Sequence, residues 1–341
     1  MRVLTSIDDL NYRELLPHFS RASAVTIVTY SMELRRNNAL WEALRSIPAS
    51  GRLTLIACIP DCAMNYFHMA EGDSAIRIGK YYAALDPKNF RCHAESFLSH
   101  HNHAKIIRCD GQGYVRSANF TMGSAKSFEA GCLTDRPEDV ARMDAFIEQI
   151  RGRAIPYSKV GSSLHIQYLL QFAADIPWLM EQVRFSAYEE REIYKDVFES
   201  HFVLEGFDIP IRVLQSLQEA VTAWNAIEQK AEAHGPLSLG ETAVAESGIG
   251  NTVERLLEAA QSIRSRDSLP PPLSEEKATQ FFINDYLMDE DPTSNPDLLE
   301  RVEKAIEQNR HERQVTAQGE LAEFLRLLEN TGTEIFTTLR G

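Results

Sequence analysis

Short apolar runs rich in β-branched residues alternate with helically spaced apolar positions over residues 1–155. Ala24–Tyr30 (AVTIVTY) and Leu53–Ile59 (LTLIACI) have the length and branching of buried strands, the second stopped by Pro60. Between them, Leu34–Ile47 sets Leu40, Leu44 and Ile47 on one helical face. Ser74–Leu85 predicts a helix that ends at Asp86-Pro87. Phe90–Phe97, Ala104–Cys109, Tyr114–Ala118 and Phe128–Leu133 predict further strands, the middle two joined by the turn Asp110-Gly111-Gln112-Gly113. Pro137–Ile150 predicts a helix with proline near its start. Strands interleaved with helices imply a layered α/β domain.

Beyond residue 155 the period changes. Ile166, Leu169, Leu170 and Ala173 follow helical spacing, as do Val253, Leu256, Leu257, Ala260 and Ile263. Leu298, Leu299, Val302, Ala305 and Ile306 repeat it behind Asn295-Pro296, an N-cap and first helical position. Leu321, Phe324, Leu325 and Leu328 predict a last helix. No convincing strand run and no repeat stands out here. Pro236–Asn251 and the stretch Arg264–Ser274, with its three consecutive prolines, have loop composition. The expected organisation is an α/β domain over 1–155 followed by an all-helical domain over 156–341.

Charge sharpens that division. The net charge of −14 argues at first against a partner rich in phosphate. Residues 1–155, however, hold 19 basic and 17 acidic residues, and residues 156–341 hold 16 basic and 32 acidic. The acidity belongs to the helical half, and the α/β half is free to bind an anion. The five cysteines, Cys58, Cys62, Cys92, Cys109 and Cys132, include one close pair and no second pair to complete a zinc site, so they read as thiols in a reducing compartment. The first residues, MRVLTSIDDLNYRELL, lack a basic-then-apolar signal pattern, and no stretch approaches the ~20 apolar residues of a membrane span. The expectation is a soluble cytoplasmic protein with no membrane partner.

The chemistry concentrates in HAKIIRCDGQGYVRSANFTMGSAKSFE, residues 103–129. On a strand His103 and Lys105 share a face, and Ser117 and Asn119 share one on the adjoining strand. This supplies a nucleophile, a fixed cation and two neutral hydrogen-bonding groups, a set suited to a phosphate: imidazole attacks phosphorus while Lys105 and Asn119 stabilise the non-bridging oxygens. No cluster of Asp and Glu sits nearby, so neither a two-metal site nor any cofactor is expected.

His103-Ala104-Lys105, four residues, Asp110, and later Ser117-Ala118-Asn119 resemble the phospholipase D superfamily motif. The spacing from Asp110 to Ser117 is one residue short, and Arg116 stands where the family usually has Gly. Glu129 resembles the acidic residue that follows the motif in many members. The resemblance covers roughly residues 20–150. It implies an α/β phospholipase D-like fold, a mixed sheet between helices, and a phosphohistidine mechanism. In that mechanism His103 is nucleophile or acid–base, Lys105 and Asn119 bind phosphate, Ser117 supports them, and Glu129 orients an imidazole. Asp110 becomes a structural turn residue, while Arg116 and Arg108 are further candidates for substrate phosphate.

None of the other nine histidines has Lys two positions later. Single-motif members of the superfamily build the site across a two-fold interface, so the resemblance implies a homodimer with one composite site. A single copy in a compact domain resembles the small nucleases and metal-independent restriction enzymes of the superfamily. With no membrane-binding segment visible and a mildly basic α/β half carrying Arg108, Arg116 and Lys126 around the motif, the expectation is a metal-independent nuclease. A phospholipid hydrolase or transferase, and a non-enzymatic phosphate-binding or dimerisation module, are the alternatives. The acidic helical half is expected to dock a partner such as an ATPase or defence complex, to oligomerise, or to restrain the basic cleft.

Overall fold

A computed structural model of the chain describes residues 1–59, 73–100, 102–194, 197–204, 207–266, 268–286 and 296–341. Pro60, Cys62 and Asn295, named above, lie outside the described residues. The chain forms two compact units, each discontinuous in sequence: Met1–Asp175 with Thr222–Gly250 and Gly332–Gly341, and Ile176–Val221 with Asn251–Thr331.

The first unit is built on a mixed eight-stranded sheet. Its strands are β1 (Arg2–Ser6), β2 (Ala24–Thr29), β3 (Arg52–Cys58), β4 (His93–Ser99), β5 (Ile106–Cys109), β6 (Gln112–Arg116), β7 (Glu129–Thr134) and β8 (Ile155–Pro156), in the order β1-β7-β6-β5-β2-β3-β4-β8. β2, β3 and β4 run parallel; the remaining pairs are antiparallel. The parallel trio contains the apolar runs with which the sequence announces buried strands, because helical crossovers cover such strands on both faces.

Strand alternation divides the core in two. Val28, Ile56 and Ile106 point to one face, where helix α3 (Pro137–Arg151) packs Ile147 against them, with Met143 and Ile150 alongside. Ile27, Ile107 and Tyr114, in register across β2, β5 and β6, occupy the opposite face. There the 3-10 segment Arg13–Arg21 packs against β5 and buries Leu15, Leu16 and Phe19. Helix α1 (Ala39–Ser46) packs on that segment. The sheet thus lies between helices, as the resemblance implied.

Several boundaries differ from the sequence reading. α1 begins at Ala39 and not at Leu34, because the Asn38 side chain accepts from the backbone N–H groups of Leu40 and Trp41 and sets the N-cap there. Helix α2 spans Asp73–Ala84. β1 was not expected: its side chains are exposed or half-buried, so no apolar run marks it. β5 starts only at Ile106, and β6 ends at Arg116, so His103, Lys105, Ser117 and Asn119 lie just beyond the strands.

The C-terminal part is helical, with α4 (Tyr157–Val160), α5 (Leu164–Ala187), α6 (Ile211–Glu232), α7 (Leu239–Ala245), α8 (Ile249–Ser265), α9 (Glu275–Tyr286) and α10 (Pro296–Arg340). One antiparallel hairpin interrupts it, β9 (Tyr188–Tyr194) with β10 (Val197–Phe202). The two helices expected around residues 298 and 321 are one continuous helix of 45 residues. Pro236–Asn251 is not a loop. Ser238 and Glu241 form a capping box that starts α7. A methyl group at Gly240 would collide with the Lys159 carbonyl, and one at Gly250 with the Trp224 ring. Glycine here permits close packing, which composition alone cannot tell from a loop.

Candidate functional site

The two halves of the motif hang on one residue. Thr29, the last residue of β2, accepts at its carbonyl from the Asn102 side chain (3.2 Å), and its hydroxyl oxygen accepts from the backbone N–H of Phe120 (3.0 Å). Asn102 in turn accepts from the Ala104 N–H at 3.0 Å. His103–Lys105 and Asn119 are thereby tethered to the same end of the central strand.

His103 is exposed and Lys105 is buried. The Lys105 ammonium donates to the His103 carbonyl at 2.9 Å and stands 3.5 Å from the ring Nδ1. Tyr30 backs both groups: its ring centroid lies 5.1 Å from that of His103 and 5.5 Å from Nζ of Lys105. Burial, with Arg116 adding to it, pushes the Lys105 pKa down from the ordinary lysine value, against smaller opposing effects of Glu129 and Cys58.

The hydroxyl of Ser117 donates to Glu129 and accepts from the Ala130 N–H at 3.0 Å, so Ser117 and Glu129 act as one unit at the mouth of β7. Asn119 is held by its backbone: the Tyr12 hydroxyl donates to its carbonyl at 3.1 Å. Its side-chain oxygen is buried and has no hydrogen-bond partner among the described residues. The Asn119 amide oxygen therefore keeps its capacity to accept a further hydrogen bond.

Asp110 lies in the β5–β6 turn with φ +46°, a conformation Asp tolerates. Its carboxylate accepts from the Ser23 hydroxyl (2.6 Å), the Ser23 N–H (3.0 Å) and the Ala24 N–H (2.9 Å). Burial raises its pKa, but these hydrogen bonds and Arg108 outweigh burial and hold it below the usual carboxylate value. Asp110 ties the turn to the start of β2. Arg108 faces the α3 side of the sheet, where it pairs with Asp144 at 2.6 Å and donates to the Asp110 and Gln112 carbonyls. Those bonds commit it to the turn.

Arg116 lies opposite Lys105 across the ladder, its N–H donating to the Lys105 carbonyl at 3.1 Å. Its guanidinium stacks 3.9 Å above the Tyr12 ring and 5.6 Å from that of Phe120, the two rings being themselves stacked. Tyr12 meets the guanidinium in stacking and not in hydrogen-bonding geometry, and none of the three Arg116 nitrogens has an acceptor among the described residues. Burial pushes its pKa below the ordinary arginine value.

Sequence reasoning missed the scaffold around these groups: Tyr12, Thr29, Tyr30, Asn102 and Glu33. Glu33, itself buried, accepts from the N–H of Met122 (2.7 Å) and of Arg35 (2.8 Å), and so clamps the segment that follows Asn119. An acidic residue just past an apolar strand is the one available hint; the others carry no local signal. Among the described residues no group of three metal-ligating side chains occurs, and no helix is long and apolar enough to cross a membrane.

No family model matches the chain, and no curated protein matches it. Among solved structures, it is similar to Nuc from Salmonella typhimurium, a phospholipase D family member, at 12% identity over 46% of this chain and 96% of that one, with a TM-score of 0.34. NucT from Helicobacter pylori matches at 17% identity over 46% and 99% of the two chains, with a TM-score of 0.31. TrmBL2, an archaeal chromatin protein with a novel mode of DNA binding, matches at 10% identity over 45% and 54%, with a TM-score of 0.28. The resemblance to the phospholipase D superfamily therefore rests on the motif residues and their placement.

Proposed function

We propose that the chain is a phospholipase D-type phosphodiesterase, a metal-independent nuclease that works as a homodimer through a phosphohistidine intermediate. The observation that carries this reading is the tethering of His103–Lys105 and Asn119 to Thr29, with the Asn119 amide oxygen left without a partner among the described residues. His103 attacks phosphorus, forming an N–P bond as the bond to the leaving oxygen breaks. The partner subunit's His103 gives that oxygen a proton. It then takes a proton from water, whose oxygen displaces the His103 nitrogen from phosphorus. Lys105 and Asn119 hold the non-bridging oxygens, and the Ser117–Glu129 pair orients the site. Acid–base help of this kind is worth about 10²–10⁴-fold.

Cleavage of single-stranded DNA, duplex DNA and RNA in excess EDTA tests the reading. Activity is expected to survive EDTA and to fall by at least about 10³-fold in His103→Ala. Loss in EDTA with recovery on magnesium, or an active His103→Ala, overturns it. Headgroup release from phospholipid vesicles with no action on nucleic acid selects the lipid alternative instead. The acidic 156–341 part is read as the docking element for an ATPase or other defence partner. A defence role predicts that phage resistance conferred by the gene and its neighbours disappears with His103→Ala.

A further inference from the structure

Beside His103 a cavity of ≈ 310 Å³ opens on the α3 side of the sheet. His103, Lys105, Val115, Arg142, Met143 and Phe146 are among the residues that line it. Arg142 and Phe146 are four residues apart on α3, so both side chains project from one helical face toward the cavity. Val115 is 41% exposed and Phe146 is 47% exposed, an apolar surface that the fold itself leaves uncovered. Among the described residues no carboxylate lines the cavity, whereas the cations Lys105 and Arg142 do; Arg116 also borders it, with its guanidinium turned onto Tyr12.

We infer that this cavity is a base subsite: it takes an unpaired nucleobase of the nucleotide whose phosphate lies on His103 and Lys105, with the base against Phe146 and Arg142 near the adjoining phosphate. The inference rests on the nuclease reading and narrows it to strands whose bases are free to leave the stack. Size and chemistry both support it. The volume lies at the lower end for small-ligand pockets, which pair an apolar lining with a few placed polar groups. An aromatic ring beside a cation, next to a phosphate site, is how single strands are held without sequence readout. An acyl chain would gain from Val115, Met143 and Phe146 but nothing from the cations around them. A base paired in a duplex cannot enter without first leaving its stack and its partner.

The test compares binding of two 12-nucleotide single strands, one of thymidines and one of abasic tetrahydrofuran residues. Binding is measured by fluorescence anisotropy in EDTA at fixed salt, at a temperature and time where cleavage is negligible. The thymidine strand is expected to bind about tenfold tighter or more. Phe146→Ala is expected to abolish that difference without altering abasic-strand binding, and Phe146→Trp to restore it. Equal binding of the two strands by the intact protein overturns the inference. So does a Phe146→Ala loss that is the same on both strands, or Phe146-dependent binding to phosphatidylglycerol vesicles with none to either strand. Equal binding of the strands together with EDTA-resistant cleavage removes the subsite and keeps the nuclease reading. Binding to neither strand, with no cleavage, removes both.

Discussion

Lys105 donates from Nζ to the main-chain oxygen of His103 at 2.9 Å, while the same ammonium faces the His103 ring at 3.5 Å from Nδ1. One cation thus fixes the backbone of His103, the proposed nucleophile, and supplies the charge beside it. Their spacing of two residues gives this coupling without a regular strand, since β5 begins only at Ile106.

That coupling predicts a pH limit. Burial first, and the neighbouring Arg116 second, lower the Lys105 pKa. The ammonium is therefore lost at a lower pH than an ordinary lysine's, and kcat/KM should fall early on the alkaline side. Arg116→Gln removes one cause of the shift and is expected to move the alkaline limb to higher pH. A pH–rate profile measures this; a limb that does not move in Arg116→Gln dissociates the limb from Lys105.

Arg116 itself should set stability against function. Its guanidinium is buried, stacked on Tyr12, and has no acceptor among the described residues. Replacing a buried charge by an apolar group of similar length is commonly neutral or stabilising, by about 1–4 kcal/mol for ion pairs. Arg116→Met is expected to raise the urea midpoint and to reduce kcat/KM by about tenfold, through loss of positive potential beside Lys105. A variant both less stable and fully active would show that the stack on Tyr12 serves packing alone.

Tyr12 should position Asn119 without touching substrate. Its hydroxyl holds the Asn119 carbonyl, and its ring carries Arg116. Tyr12→Phe keeps the stack and removes the hydrogen bond, so the expected loss of stability is only about 1 kcal/mol. The kinetic signature separates positioning from stability: KM for the oligonucleotide should rise several-fold more than kcat falls, and Asn119→Ala should leave nothing further for Tyr12→Phe to remove. Additive losses in the double variant would contradict a shared role.

Most of the sheet and the motif were legible because their signals are local, whereas β1 and the two-residue β8 were not. AVTIVTY and LTLIACI announce β2 and β3 by composition alone, and His103, Lys105, Ser117 and Asn119 are recognisable by spacing. The supports were not legible, because each is a contact across a long stretch of chain. Tyr12 reaches Asn119 over 107 residues, Thr29 reaches Phe120 over 91, and Glu33 reaches Met122 over 89. Local polarity misled in the opposite direction at Gly240 and Gly250, whose missing side chains admit Lys159 and Trp224. β9 and β10 escaped notice because YEEREIY and VFESHF carry too many charged and polar residues to read as strands.

Glu241 follows Gly240 in α7. Its buried carboxylate accepts from Nζ of Lys230 (2.8 Å), the Ser238 N–H (2.7 Å) and the Ser163 hydroxyl (2.9 Å), joining α6, the cap of α7 and the turn before α5. Burial raises its pKa, but these three donors outweigh burial and hold the group at about 2. Because the folded value lies below the unfolded one, the ionised form stabilises the fold fully above the unfolded carboxylate range. That contribution fades as pH falls from there toward about 2. Glu241→Gln keeps the shape but turns an NH₂ group toward donors, so it is expected to lower stability at pH 7 by about 2 kcal/mol. Urea unfolding at pH 7 and again at pH 3 measures the effect, and the gap between wild type and variant should narrow at the lower pH. A gap that stays constant would mean that the loss comes from packing, not from the charge on Glu241.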